Sequence, residues 1–194
     1  MGSLAAIVLA GGASRRMGRD KALLDRAGQP LVRFVCDVAR SVCDPVIVVH
    51  GATQELGELE GVRLVPDPPE RGGGGPLCAL LTGLEVLTAD FCFLTGVDAP
   101  RLSVAHIEAL YGRRGLSDAV VPVDGEFRLT LSSLVRSEPV REVASRLVEQ
   151  GERSLRALFR ALRVEEVALR DLPDPSAVAN VNTLAEWEEL LKRL

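Results

Sequence analysis

The sequence predicts an α/β fold in which helices cover both faces of a mostly parallel central sheet, and two features carry that expectation. Short runs rich in Val and Ile, among them residues 4–9 and 46–49, show no polar alternation, as strands buried on both faces do not. Between these runs lie stretches whose apolar residues fall at helical spacing, which is the alternation of a layered α/β sheet. A hydrophobic fraction of 47% over 194 residues is ample for one core, so a single domain spanning residues 1–194 is expected.

The first strand is residues 4–9. Its apolar run is too short for an export signal, and no basic region precedes it. A helix is expected over 30–42, where Leu31, Phe34, Val35, Val38 and Val42 share one face and Pro30 suits the first turn. Strands at 46–49 and 62–65 follow, then a turn-rich segment at 66–75 with the sequence PDPPERGGGG. Its four glycines, residues 72–75, permit positive φ and close approach to a ligand; a plain flexible loop is the other reading.

A helix over 76–87 leads to a strand at 91–94 that runs into Gly96-Val97-Asp98-Ala99-Pro100. Asp98 then lies at the carboxyl end of a central strand, where open α/β sheets bind ligands, although capping of the next helix is an alternative role. Further on, a helix is expected at 103–111, strands at 119–123 and 129–134, helices at 140–150 and 155–162, and a strand at 164–169. The last helix follows Asn180-Val181-Asn182-Thr183, with Thr183 and Glu186 at capping-box spacing. Leu184, Trp187, Leu190 and Leu191 give that helix an apolar set for docking on the core.

Composition narrows the function. Twenty-three Lys and Arg against 27 Asp and Glu leave a net charge of −4, which argues against a polyanion-binding surface dominated by long-range attraction, so no nucleic-acid partner is expected. Any phosphate chemistry must rely on locally placed cations. Cys36, Cys43, Cys78 and Cys92 are scattered in apolar stretches without a CxxC pair, which suits reduced core residues over a metal or redox cluster. No uninterrupted apolar run is long enough to span a bilayer, so a cytoplasmic protein without membrane contact is expected. His50 and His106 have no evident acidic partner and read as structural or surface residues.

The strongest local feature is Leu9-Ala10-Gly11-Gly12-Ala13-Ser14-Arg15-Arg16-Met17-Gly18-Arg19-Asp20-Lys21, directly after the first strand. Small residues let backbone N–H groups reach phosphate oxygens, and Arg15, Arg16 and Lys21 supply the charge a triphosphate needs. Neither GxGxxG nor GxxxxGK[ST] can be drawn through this passage, which disfavours dinucleotide dehydrogenases and P-loop NTPases. An exposed turn with solvated cations is the alternative.

This passage resembles the LAGGxSxRMGxDK signature of the molybdenum cofactor guanylyltransferases, of the MobA-like NTP transferase family. Gly75-Pro76-Leu77 with Gly83 is similar to the family's GPLxGxxxGL, Asp98 in its VDAP segment to CDxP, and residues 180–183 to a C-terminal NVNT. The resemblance spans nearly the whole chain. It implies a three-layer Rossmann-like nucleotidyltransferase fold, GTP and molybdopterin as substrates, Mg²⁺ as the required ion, and transient contact with molybdopterin-handling proteins or apo-molybdoenzymes. Carried over by position, it implies that Leu9, Ala10, Gly11, Gly12, Ser14, Arg15, Lys21, Asp67, Gly75, Pro76 and Leu77 receive the nucleotide. It further implies that Arg16, Lys21 and Asp98 are catalytic, that Asp98 holds the metal, and that Asn180 and Asn182 lie on the molybdopterin side.

Val97 stands where CDxP has cysteine, and residues 124–130 lack the His-Pro or Gln-Pro dipeptide often found there. Use of CTP or another phosphorylated acceptor, and a non-catalytic nucleotide-binding adaptor, are the rival readings.

Overall fold

The computed structural model describes residues 2–11, 20–68 and 74–192. Strand β1 (Leu4–Leu9) is followed by a one-turn 3₁₀ helix (Lys21–Leu23), a small hairpin of β2 (Asp25–Arg26) and β3 (Gln29–Pro30), and helix α1 (Leu31–Arg40). The chain continues through β4 (Val46–His50), β5 (Val62–Pro66), α2 (Gly75–Glu85), β6 (Phe91–Gly96) and α3 (Val104–Gly112). Then come β7 (Ala119–Asp124), β8 (Phe127–Arg128), β9 (Ser132–Arg136), α4 (Ser137–Glu149), α5 (Leu155–Ala161), β10 (Val164–Ala168) and α6 (Leu184–Leu191).

The main sheet has the order β10-β7-β9-β6-β1-β4-β5. β1 pairs in parallel with both β4 and β6, β4 with β5, and β10 with β7, while β9 runs antiparallel to β6 and β7. The mostly parallel α/β sheet read from the sequence is therefore present. The absence of polar alternation in β1 has a direct cause: Ala6 and Val8 join one core with Leu31, Val35, Ile107 and Trp187, while Ala5, Ile7 and Leu9 join another with Leu77, Leu80, Leu84 and Leu158. Both faces of the strand are dry, so every position must be apolar.

This order creates a switch point. From β1 the chain moves outward to β4 and β5, and α2 then carries it back across β1 to β6. The crossing demands that α2 lie close to β1, and Gly83 makes that possible: a Cβ there would come within 2.8 Å of Ile7 Cδ1 and 3.1 Å of Cγ1. Among the described residues, no helix is long and apolar enough to cross a membrane. All four cysteines are buried free thiols, and burial pushes Cys36 and Cys43 up to about 12, which makes them unreactive at neutral pH.

Several local expectations need correction. The strand expected at 129–134 is displaced: Phe127 and Arg128 first turn back to pair with β7, and Ser132 N–H bonds to the Leu129 carbonyl in a turn, so β9 begins only at Ser132. Pro30 caps α1 from outside instead of forming its first turn, and α4 starts at Ser137, with Pro139 in its first turn. In α6 the capping box of Thr183 and Glu186 is formed, but only Trp187 and Leu190 are buried; Leu184 and Leu191 stay 43% and 41% exposed. Two turns of helix offer one narrow stripe to the core, and the flanking leucines fall outside it.

His106 is wholly buried; its Nε2 lies 2.8 Å from Ser132 Oγ and its Nδ1 has no partner. Burial holds its pKa below the usual histidine range, against a smaller opposing pull from Asp174. The folded state thus resists a proton that the unfolded chain accepts, so this residue favours folding above its unfolded value and less so as the pH falls toward its folded one. Stability measured by urea unfolding should decline as pH drops below about 6.5, and His106→Gln should flatten that decline. Gly83→Val should lower stability by about 2 kcal/mol or more through overpacking against Ile7, read as a drop in denaturation midpoint.

Candidate active site

The carboxyl ends of β1 and β6 lie side by side, with Leu9 paired to Gly96. Pairing continues past the strand ends: Val97 N–H donates to the Leu9 carbonyl at 3.0 Å, and Ala10 and Gly11 N–H donate to Val49 of β4 at 2.8 and 3.2 Å. The start of the glycine-arginine passage and the segment bearing Asp98 therefore rise from adjacent strands at the switch point, the place where open α/β sheets form a crevice.

Lys21 returns to this crevice on the one-turn helix, capped by Asp20, whose Oδ1 accepts Ala22 N–H at 2.9 Å. Lys21 Nζ lies 3.1 Å from Asp98 Oδ2, both side chains being 19% exposed, and 3.2 Å from Asn182 Oδ1. Asp98 also holds the third segment, because its backbone carbonyl accepts Val181 N–H at 3.2 Å. Three stretches far apart in sequence thus meet at one ammonium group. Gly96 leaves room for the acid: a Cβ there would sit 2.5 Å from Asp98 Oδ1 and 3.6 Å from Leu131 Cδ1.

The other expected residues lie around this centre in different ways. Asp67 follows β5, three strands along from β6, which places it roughly 14 Å across the crevice at ordinary strand spacing. Its Oδ1 accepts the Thr82 hydroxyl at 2.9 Å, and its N–H donates to the His50 carbonyl. Gly75 has φ of +81° and opens α2, but its close approach is internal: a Cβ would meet the Arg153 carbonyl oxygen at 2.9 Å. That same carbonyl accepts Leu77 N–H at 3.2 Å, and the Leu77 side chain is wholly buried.

Leu77 thus has both its N–H and its side chain engaged inside the protein and anchors α2, as buried Leu9 anchors β1. Pro76 is exposed at the helix start. Asn180 diverges from Asn182, lining with Arg101, Val181, Glu186 and Leu190 a groove of about 480 Å³ against α6. Gly12, Ser14, Arg15 and Arg16 lie outside the described residues.

One contributor had no signal in the sequence. Gln54, in the loop after β4, donates to the Ala10 carbonyl and to Asp20 Oδ2. Arg128 bonds Glu166 at 2.6 Å and the Phe159 carbonyl at 3.0 Å, pinning the atypical 124–130 segment to the neighbouring strand and helix.

The donor set fits a hard divalent ion such as Mg²⁺. Among the described residues no three His, Cys, Asp or Glu side chains gather into a closed cage, and Asp98 is a single partly exposed carboxylate beside the crevice. An ion that takes one or two protein carboxylates and completes its shell with phosphate and water oxygens needs no more.

Comparison with known proteins agrees with this architecture. Residues 6–167 match the model of the MobA-like NTP transferase domain. A probable molybdenum cofactor guanylyltransferase of Mycobacterium avium (strain 104) is 39% identical, covering 96% of this chain and 94% of that protein. The crystal structure of molybdopterin-guanine dinucleotide biosynthesis protein A from Archaeoglobus fulgidus superposes with a TM-score of 0.80 at 19% identity, covering 97% of this chain and 99% of that one. A Mycobacterium tuberculosis protein crystallised as a complex with manganese superposes with a TM-score of 0.69 at 18% identity, over 99% and 100% of the two chains. With the family model matched from β1 into β10 and a relative this similar along nearly its full length, the chain belongs to the MobA-like NTP transferase family.

Proposed function

We propose that this protein transfers GMP from GTP to the terminal phosphate of molybdopterin, releasing pyrophosphate and forming molybdopterin guanine dinucleotide. The observation that carries the reading is the meeting of Lys21, Asp98 and Asn182 beyond β1 and β6, in a chain whose 39% identical relative bears that activity in its name. An oxygen of the acceptor phosphate attacks the α-phosphorus of GTP, the bond to the bridging oxygen breaks, and pyrophosphate leaves.

Both reactants are anions, so the protein's task is to hold them in line and offset their repulsion. Lys21 neutralises Asp98 in the free protein; with a triphosphate bound, its ammonium would turn to phosphate oxygens, and Asp98 would be the carboxylate that holds Mg²⁺. The ion, once bound there, supplies further charge neutralisation on the phosphates. In this reading Gly11, Gly12, Ser14, Arg15, Asp67 and Gly75 receive the nucleotide, Arg16 joins Lys21 on its phosphates, and Asn182, beside Lys21, faces the acceptor. No covalent protein nucleophile is needed.

Pyrophosphate release with each nucleoside triphosphate, in the presence and absence of molybdopterin, tests the assignment. GTP with molybdopterin should be the productive pair; a preference for CTP refutes the base assignment, and GTP binding without pyrophosphate release refutes catalysis. Asp98→Ala or Lys21→Ala should lower turnover by about a hundredfold or more through lost charge stabilisation, with circular dichroism unchanged. Gly96→Ala should do the same more mildly, by about tenfold, because the new methyl displaces the Asp98 carboxylate and misplacement of this order is costly in rate; full activity in that variant would show that the carboxylate position is not critical.

A further inference from the structure

Gln54 belongs to none of the sequence motifs, yet its carboxamide joins three parts of the crevice. Its Nε2 donates to the Ala10 carbonyl at 3.2 Å, where the chain leaves β1. The same nitrogen donates to Asp20 Oδ2 at 2.7 Å, just before Lys21. Its Oε1 accepts Gly51 N–H at 3.0 Å, at the end of β4. Asp20 is thereby used twice, since its other oxygen caps the helical turn that carries Lys21. A continuous set of short bonds runs from the end of β4 through Gln54, Asp20 and the capped turn to the Lys21 ammonium at Asp98.

Only a carboxamide meets these demands. It offers two N–H donors and an acceptor in one plane, whereas a carboxylate offers acceptors alone. Glutamate at this place would set a negative charge against both the Ala10 carbonyl and the Asp20 carboxylate. An aliphatic side chain would fill the space and make none of the bonds.

We propose that Gln54 is a positioning residue: acting through Asp20, it fixes the turn that delivers Lys21 to the reacting phosphates. The assignment rests on Lys21 and Asp98 being the reactive pair. Lys21 needs this support because its long side chain has much rotamer freedom, and the position of its backbone decides how much of that freedom ends at Asp98.

The test uses the full-length protein with GTP, Mg²⁺ and molybdopterin. Gln54→Leu, close in size, should lower kcat by about tenfold or more with KM for GTP changed less than about threefold and the melting temperature shifted by no more than about 4 °C. Gln54→Glu alone sets two carboxylates together. Adding Asp20→Asn restores one donor facing one acceptor, now in the reverse direction, so the double variant should be more active than Gln54→Glu.

An unchanged kcat in Gln54→Leu, or a double variant no better than Gln54→Glu, overturns the proposal; if Gln54→Leu fails to fold, the second comparison decides. Lys21→Ala measured alongside separates the two levels. An active Lys21→Ala protein removes the reactive pair and this proposal with it, whereas an inactive Lys21→Ala with a fully active Gln54→Leu removes only the role of Gln54.

Discussion

A lysine ammonium and an aspartate carboxylate, 77 positions apart in the chain, lie 3.1 Å from each other at the mouth of the sheet, and the rest of the crevice is organised around that contact. The contact exists because β1 and β6 are neighbours. Their pairing runs from Leu4 opposite Phe91 to Leu9 opposite Gly96 and continues through Val97 N–H to the Leu9 carbonyl. Asp98 is therefore delivered next to the end of β1 by a ladder of backbone bonds, and it in turn fixes the carboxyl-terminal segment through Val181.

Packing serves the same end. β1 must be buried on both faces to sit at the centre of the sheet, and α2 must cross it closely to return the chain to β6. Gly83 against Ile7 permits the crossing, and Gly75 against Arg153 sets where the helix begins. The close approach that Gly75 allows is to the Arg153 carbonyl, while the missing side chain of Gly96 gives the acidic group its space. Among the described residues, the acidic groups around the crevice are each oriented by a bond to backbone or to another side chain: Asp20 by Ala22 and Gln54, Asp67 by Thr82, Asp98 by Lys21.

The parts of this design that were legible in the sequence are those with local causes. A strand dry on both faces cannot alternate, so β1, β4 and β6 announce themselves as uninterrupted apolar runs; a capping box needs only residues three apart, so the start of α6 was readable from Thr183 and Glu186. The passage from Leu9 to Lys21 and the position of Asp98 carried the chemistry by residue type and motif. What was not legible depends on partners distant in the chain. Nothing in the neighbourhood of Gln54 reveals that it will touch Ala10 and Asp20. The burial of Leu77, and the exposure of Leu184 and Leu191, follow from how α2 and α6 sit on the sheet. The bounds of β9 were misread because Ser132 N–H closes a turn on the Leu129 carbonyl, which takes residues 129–131 out of the strand.

The central claim is that the Lys21–Asp98 pair marks where a triphosphate and its divalent ion bind. A crystal structure with Mg²⁺ and a non-hydrolysable GTP analogue tests it most directly. The account predicts the ion in contact with the Asp98 carboxylate and the Lys21 ammonium moved onto phosphate oxygens. A triphosphate bound elsewhere, with the ammonium still seated on Asp98, would contradict it.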